Sequence, residues 1–206
     1  MTDRWYREKK REHFYRQAKQ DGYRARSSFK LKQINNKYTL IKPGDVVIDL
    51  GAAPGGWTQV ALEAVGESGL VVGIDLLSMK PIKGATLLQG DMTKEETLGQ
   101  VVEAAEGRMA DVILSDMSPD ISGNYTMDQA RSVWLCEKAL ETAVRLLKNE
   151  GHFVCKIFEG EDTQEFVNKL KMMFKELKRY SPPASRKSSS EIYLIARRFD
   201  RSKCNI

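Results

Sequence analysis

The residues able to do chemistry in this chain gather at the ends of short apolar runs. Asp49-Leu-Gly-Ala-Ala-Pro-Gly-Gly-Trp57 puts three glycines and a proline into positions 51–56, more than a turn needs. So many small residues let a ligand approach backbone N–H groups and a helix N-terminus. A tight strand-to-helix turn that binds nothing is the plainer alternative. Three further runs end on an acid: Gly69-Leu-Val-Val-Gly-Ile-Asp75, Ala85-Thr-Leu-Leu-Gln-Gly-Asp91 and Asp111-Val-Ile-Leu-Ser-Asp116. Each acid alone reads as a helix N-cap. Around one glycine turn, the three suit the hydroxyl and amino donors of a nucleoside-containing ligand, and Asp75 follows Gly51 at nearly the offset of a ribose-binding acid. Lys156 interrupts the apolar run Gly151-His-Phe-Val-Cys-Lys-Ile-Phe158. A lysine there snorkels to an edge or is held by partners, since burial without partners is expensive. Asp116 is the candidate partner, and a structural ion pair would account for both residues equally well.

These side chains need a scaffold that brings strand ends together. Val46, Val47, Ile48 and Leu50 form a β-branched run buried on both faces, and Trp57-Thr-Gln-Val-Ala-Leu-Glu-Ala-Val65 has helical spacing. Strands are also predicted at 69–75, 85–91, 111–116, 151–158 and 191–196. Helices are predicted over 94–106, over 128–148 with Ala130, Val133, Trp134, Ala139, Leu140, Ala143, Val144 and Leu147 as the apolar stripe, and over 162–177 with Phe166, Leu170, Met173, Phe174 and Leu177 inward. Ser27 or Ser28 is the expected N-cap of a helix that turns Phe29, Leu31 and Ile34 inward and carries Lys30. Alternating strands and helices predict a three-layer α/β sandwich on a mostly parallel sheet.

A chain of 206 residues predicts one domain, 1–206. Hydrophobic content of 41% and charged content of 30% suit a globular protein, and no run approaches the roughly 20 apolar residues of a membrane helix. The first residues carry no secretory pattern. Three scattered cysteines and two histidines argue against a disulfide framework or a zinc site and for a reducing cytoplasm. Residues 1–32 hold 11 Lys/Arg against 4 Asp/Glu, a net of +7, whereas the remainder holds 22 against 24, a net of −2. Interleaved with those cations are Trp5, Tyr6, Phe14, Tyr15 and Tyr23. Cations release counterions from phosphates and aromatic faces stack on unpaired bases, so 1–32 reads as a nucleic-acid-binding arm. A solvated helix or tail is the alternative.

Taken together, Asp49-Leu-Gly-Ala-Ala-Pro-Gly-Gly-Trp57, Ser115-Asp-Met-Ser-Pro119, Val154-Cys-Lys-Ile-Phe158 and Ser190-Glu-Ile-Tyr-Leu194 resemble the RrmJ/FtsJ (RlmE) family of S-adenosylmethionine-dependent ribosomal RNA 2′-O-ribose methyltransferases. Arg24-Ala-Arg-Ser-Ser-Phe-Lys-Leu31 is similar to that family's N-terminal motif, and the resemblance runs from about Tyr23 to about Arg197. It implies a Rossmann-like class I methyltransferase fold with a seven-stranded sheet and an antiparallel last strand. It further implies a catalytic tetrad of Lys30, Asp116, Lys156 and Glu191, with Lys156 as general base, and S-adenosylmethionine held by Gly51, Ala52, Pro54, Gly55, Gly56, Trp57, Asp75, Leu76, Asp91, Met92 and Asp116. The expected substrate is a ribose 2′-hydroxyl, of a uridine, in large-subunit ribosomal RNA; no metal and no membrane enter, and a monomer is expected. Some archaeal relatives carry a further C-terminal RNA-binding domain. With Ile206 as the last residue that module is expected to be absent, leaving RNA capture to the arm with Arg24, Arg26, Arg186 and Lys187.

A ribose hydroxyl is a poor nucleophile, and most of the rate can come from alignment, with effective molarities of about 10⁵ M or more. A neutral Lys156 would take the proton. Asp116 and Glu191 oppose this by favouring the ammonium, while Lys30, the sulfonium and desolvation favour the amine, so Lys156 is expected to become a base only in the ternary complex. Since S-adenosylmethionine has no phosphate, the glycines serve to admit its methionine end. Three other readings compete: a tRNA anticodon-loop 2′-O-methyltransferase, a nicotinamide dehydrogenase, which would want Gly-x-Gly-x-x-Gly in place of Gly-Ala-Ala-Pro-Gly-Gly, and a catalytically silent RNA-binding factor.

Overall fold

A β-branched run that must be buried on both faces becomes the centre of a sheet, and Val46–Leu50 does so as β1, with all five residues buried. The computed structural model describes residues 14–185 and 190–204. The other strands are β2 (Leu70–Asp75), β3 (Thr86–Gln89), β4 (Ala110–Ser115), β5 (Leu147–Phe158), β6 (Phe174–Tyr180) and β7 (Glu191–Phe199). They form one sheet in the order β3-β2-β1-β4-β5-β7-β6. Neighbours from β3 to β5 run parallel, and β7 runs antiparallel to both β5 and β6. The chain moves outwards from β1 to β3 and then returns to β4 on the other side. The crevice therefore opens where β1 and β4 end side by side, with Leu50 opposite Ser115.

Each face of the sheet has its own core. On one face Val47, Val112, Leu114, Val154, Tyr193 and Ile195 pack against α1 (Ser28–Tyr38) and α2 (Gly56–Val65). On the other, Ile48, Leu50, Ile113, Phe153, Cys155 and Leu194 pack against α3 (Glu95–Ala104), α4 (Tyr125–Leu146) and α5 (Thr163–Met173). Residues 14–20 are also helical, and among them Ala18 joins the first core. Side-chain alternation along β5 and β7 puts Lys156 and Glu191 on the α1 face. Among the described residues no helix is long and apolar enough to cross a membrane.

The structure departs from the sequence-based reading in several places, one of them Leu147, expected on the α4 stripe and found as the first residue of β5. The helix predicted over 162–177 stops at Met173, and Phe174 and Leu177 lie on β6. Their spacing of three suits a helix, but pairing of β6 from Phe174 to Tyr180 with residues 193–199 of β7 decides for a strand, and its Lys, Glu and Arg residues suit a sheet edge. On α4 the buried face runs through Gln129, Ser132, Cys136, Ala139 and Ala143, while Ala130 and Trp134 are exposed. The first turns of this helix overhang the crevice and so do not bury the apolar phase. At α1 the N-cap position falls on Ser27, whose side chain makes no capping bond. Ser28 is the first helical residue, and its Oγ donates to Ala25 O at 2.7 Å and to Gly56 O at 3.0 Å. The serine thus ties α1 to the start of α2.

Candidate active site and cofactor cleft

Four ionisable side chains meet on the α1 face, at the carboxyl end of the sheet. Lys156 comes from near the C-terminal end of β5, 7% exposed, and lies in register with Tyr193 of β7. Its Nζ donates to the backbone carbonyl of Asp116 at 2.6 Å and lies 3.2 Å from Asp116 Oδ1. Asp116 follows the last residue of β4. Tyr193 Oη donates to the same Oδ1 at 2.6 Å. Lys30, on α1 and also 7% exposed, donates to Glu191 Oε1 at 2.5 Å, and Ser185 Oγ donates to that oxygen at 3.0 Å. The two ion pairs flank the Tyr193 ring, whose centroid is 5.6 Å from Lys30 Nζ and which stacks on Trp57 at 5.6 Å. Lys30, Asp116, Lys156 and Glu191 thus form one cluster.

Burial sets the electrostatics. It pushes the Glu191 carboxyl up, but the charge of Lys30 and its hydrogen bond outweigh this and hold the group below its ordinary value. Burial raises Tyr193 well above the ordinary phenol, and the charges of Asp116 and Glu191 add to it, so the phenol keeps its proton and acts as a donor. Two buried cations against two carboxylates leave the cluster neutral. Pairs of this kind roughly break even against apolar replacements as a source of stability, so folding alone gives little reason for them.

A cleft of about 700 Å³ opens beside the cluster, lined by Gly51, Asp75, Leu76, Asp91, Met92 and Asp116, with Trp134 and Leu135 of α4 opposite. It adjoins a recess of about 40 Å³ lined by Asp49, Ala52, Pro54, Gly56 and Trp57, and the two share Gly51, Ala53 and Asp116. Gly51 has φ +71°, and a Cβ there would sit 2.1 Å from Met117 Cγ, so this turn admits only glycine without rearrangement. Gly55 lines neither cavity. It caps α2 in the left-handed region at φ +106°, covered by Ile82 and Arg24.

Over residues 23–199 the chain matches the FtsJ-like methyltransferase family. The chain belongs to that family. A protein of Marinobacter nauticus named Ribosomal RNA large subunit methyltransferase E is 48% identical over 96% of this chain and 96% of its own length. A protein of the same name from Methanothrix thermoacetophila is 50% identical over 91% of this chain and 72% of its own length. A Plasmodium falciparum crystal structure described as a ribosomal RNA methyltransferase superposes with TM-score 0.79 at 29% identity, covering 86% of this chain and 98% of that one. The protein is therefore an S-adenosylmethionine-dependent methyltransferase with a Rossmann-like fold.

For an FtsJ-like methyltransferase the carboxylate acceptors of the cleft fit the ammonium and hydroxyl donors of its cofactor. Asp49, which lines the small recess, accepts from Thr58 Oγ1 at 2.7 Å through Oδ2, while its buried Oδ1 has no partner among the described residues. An ammonium such as that of a methionine moiety would satisfy it. Burial raises the Asp49 carboxyl to about 7, with the Thr58 bond opposing and the Asp116 and Asp75 charges adding. Asp75 accepts from Ala53 N at 2.9 Å through Oδ2 and from Leu77 N at 2.8 Å through Oδ1, and each oxygen keeps a lone pair for a ribose hydroxyl. Asp91 accepts from Thr93 N and Oγ1, which hold it below the ordinary carboxylate value and therefore ionised.

The residues expected to face RNA are placed less simply. The Arg24 guanidinium is turned onto backbone carbonyls. Arg26 is half-buried just before α1. Arg186, Lys187 and the arm as far as residue 13 lie outside the described residues. Sequence reasoning passed over Asp49, Tyr193 and Trp134. An acid inside a fully buried strand was a readable signal for Asp49, and a position two residues beyond Glu191 was one for Tyr193, since period two returns it to the same face.

Proposed function

We propose that this methyltransferase acts on the ribose 2′-hydroxyl of a uridine in large-subunit ribosomal RNA, with Lys156 as general base. The observation that carries the reading is that Asp116, which lines the cofactor cleft, is bonded directly to Lys156. The names of the relatives support the RNA class. S-adenosylmethionine supplies an electrophilic methyl group on a sulfonium. Asp49, Asp75 and Asp91 orient it, and Gly51 lets the backbone come close. Lys156 Nζ accepts the hydroxyl proton, and Asp116, held by the Tyr193 phenol, neutralises the ammonium that forms. Lys30 and Glu191 orient the hydroxyl.

In this reading residues 1–206 act as one domain and as a monomer. Apart from Arg24 and Lys30, the basic residues of segment 1–32 take the RNA backbone with Arg186 and Lys187, and the protein works in the cytoplasm alongside its ribosomal substrate. The deciding experiment incubates the protein and labelled cofactor with large ribosomal subunits from a strain lacking the gene, then maps ribose methylation. A single new 2′-O-methyluridine in the large-subunit RNA is expected. Label accepted by tRNA alone would overturn the ribosomal reading.

A further inference from the structure

Arg24 sits in the basic run that the sequence assigns to phosphate contact, yet its guanidinium points into the protein. Nη1 donates to Lys80 O at 2.6 Å and to Pro54 O at 3.2 Å, and Nη2 donates to Pro81 O at 2.7 Å. The three carbonyls come from two segments. Pro54 belongs to the glycine turn after β1, and residues 80–81 belong to the loop after β2. Asp75 joins these same two segments from inside the cleft, through Ala53 N and Leu77 N. A carboxylate thus holds the two walls by their amides and a guanidinium holds them by their carbonyls. The main chain of Arg24 is fixed as well: its N–H donates to Gln59 Oε1 on α2 at 2.9 Å, and Gln59 Nε2 donates to Gly22 O at 3.0 Å. Where the walls meet, a Cβ on Gly55 would lie 2.6 Å from Ile82 Cδ1 and 3.3 Å from Arg24 Nη1. That leaves no slack between turn, loop and arginine.

We propose that Arg24 is a positioning residue for the cofactor, a clamp that sets the turn 51–56 against the loop 76–82 before S-adenosylmethionine arrives. The guanidinium reaches these carbonyls from two separate nitrogens held in one plane, whereas a lysine ammonium offers its three donors from a single atom on a flexible stem. Without the clamp the two walls must be ordered at the moment of binding, and the cost falls on cofactor affinity. RNA affinity and the rate at saturating cofactor stay as they are. The inference rests on the cleft holding S-adenosylmethionine, and it is independent of which RNA is methylated.

The test uses Arg24→Ala and Arg24→Lys in the full chain. Titration calorimetry with S-adenosylhomocysteine, without RNA, is expected to show Kd raised about tenfold in both variants. KM for the cofactor should rise in step, with kcat within about twofold. Binding to deproteinised large-subunit RNA at two salt concentrations should keep its affinity and its salt slope. A Kd for S-adenosylhomocysteine restored to wild type in Arg24→Lys would overturn the clamp. So would weaker RNA binding with a salt slope smaller by about one, the signature of a lost phosphate contact. Hydrogen exchange on the wild-type protein gives a reading that needs no variant. Residues 76–82 should be protected to the same degree with and without S-adenosylhomocysteine, and protection that appears only with the ligand would equally overturn the proposal.

Discussion

At the scale of single residues, the chemistry depends on what Asp116 Oδ1 is asked to do. It faces the Lys156 ammonium and accepts from the Tyr193 phenol, so neither partner is interchangeable with an apolar group of the same size. Lys156→Ala removes the proton acceptor and leaves Asp49, Asp75 and Asp91 untouched. We expect single-turnover methylation to fall by at least about 10²–10⁴-fold while S-adenosylhomocysteine affinity changes less than threefold. Lys156→Arg should be as inactive, because a guanidinium stays protonated; turnover near the wild-type rate in either variant would remove Lys156 from the base role. Tyr193→Phe is subtler. It deletes one hydrogen bond to a half-buried carboxylate, worth roughly 1–3 kcal/mol, and keeps the stack on Trp57. The expected result is a loss of about tenfold or more in kcat with little change in KM for the cofactor. Unchanged kcat would show that Lys156 alone suffices to orient Asp116.

At the scale of elements, two joints hold these residues in place, and they differ in how readable they were. Gly51 turns β1 into the cleft, and Gly51→Ala forces a Cβ into the left-handed region and against Met117 Cγ. We expect a cost of about 1–3 kcal/mol in stability, read by denaturant unfolding, and a larger proportional loss in cofactor affinity. The second joint is the Lys30–Glu191 pair between α1 and β7. Lys30→Met removes the ammonium hydrogen-bonded to a mostly buried carboxylate, with an expected destabilisation of up to about 3 kcal/mol, whereas Lys30→Met combined with Glu191→Leu should recover most of that stability but no activity. The strands around both joints were legible because continuous β-branched runs have few other uses, and strand-end acids mark the crevice of a parallel sheet. Phe174–Tyr180 was not, since two apolar residues three apart fit a helix turn as well as an edge strand, and only the presence of β7 decides. Trp134 was misread for a related reason: a helix that overhangs a ligand cleft puts its aromatic residue towards the ligand and not the core. Arg24 shows the limit of charge counting, because composition reports that a cation is present and not which way its side chain turns.

For the whole molecule, buried acids tie stability to pH, and the signs oppose one another. Glu191 has a lowered folded pKa, so its contribution is present above its ordinary 4.5 and is lost as pH falls through the folded value. Asp49 is the reverse case. Its folded pKa is raised from 3.8 to about 7, so the folded protein holds a proton that the unfolded chain has released. The stability this represents is fully present below about pH 4 and disappears as pH rises through 7, with an upper bound of roughly 4 kcal/mol. The free enzyme should therefore melt at lower temperature at pH 8 than at pH 5.5. The cofactor reverses that trend, since an ammonium against Asp49 Oδ1 prefers the ionised carboxylate. S-adenosylhomocysteine affinity should then rise between pH 6 and 8, with about one proton released per molecule bound at pH 6, measurable by calorimetry in buffers of different ionisation enthalpy. Asp49→Asn separates these effects. It keeps the shape and the contact with Thr58 but cannot ionise, so the melting temperature should lose its fall towards pH 8 and the affinity should become weak and independent of pH. A variant with the wild-type difference between pH 5.5 and 8 would show that the titrating group lies elsewhere, and an unchanged affinity would show that Asp49 does not meet the cofactor.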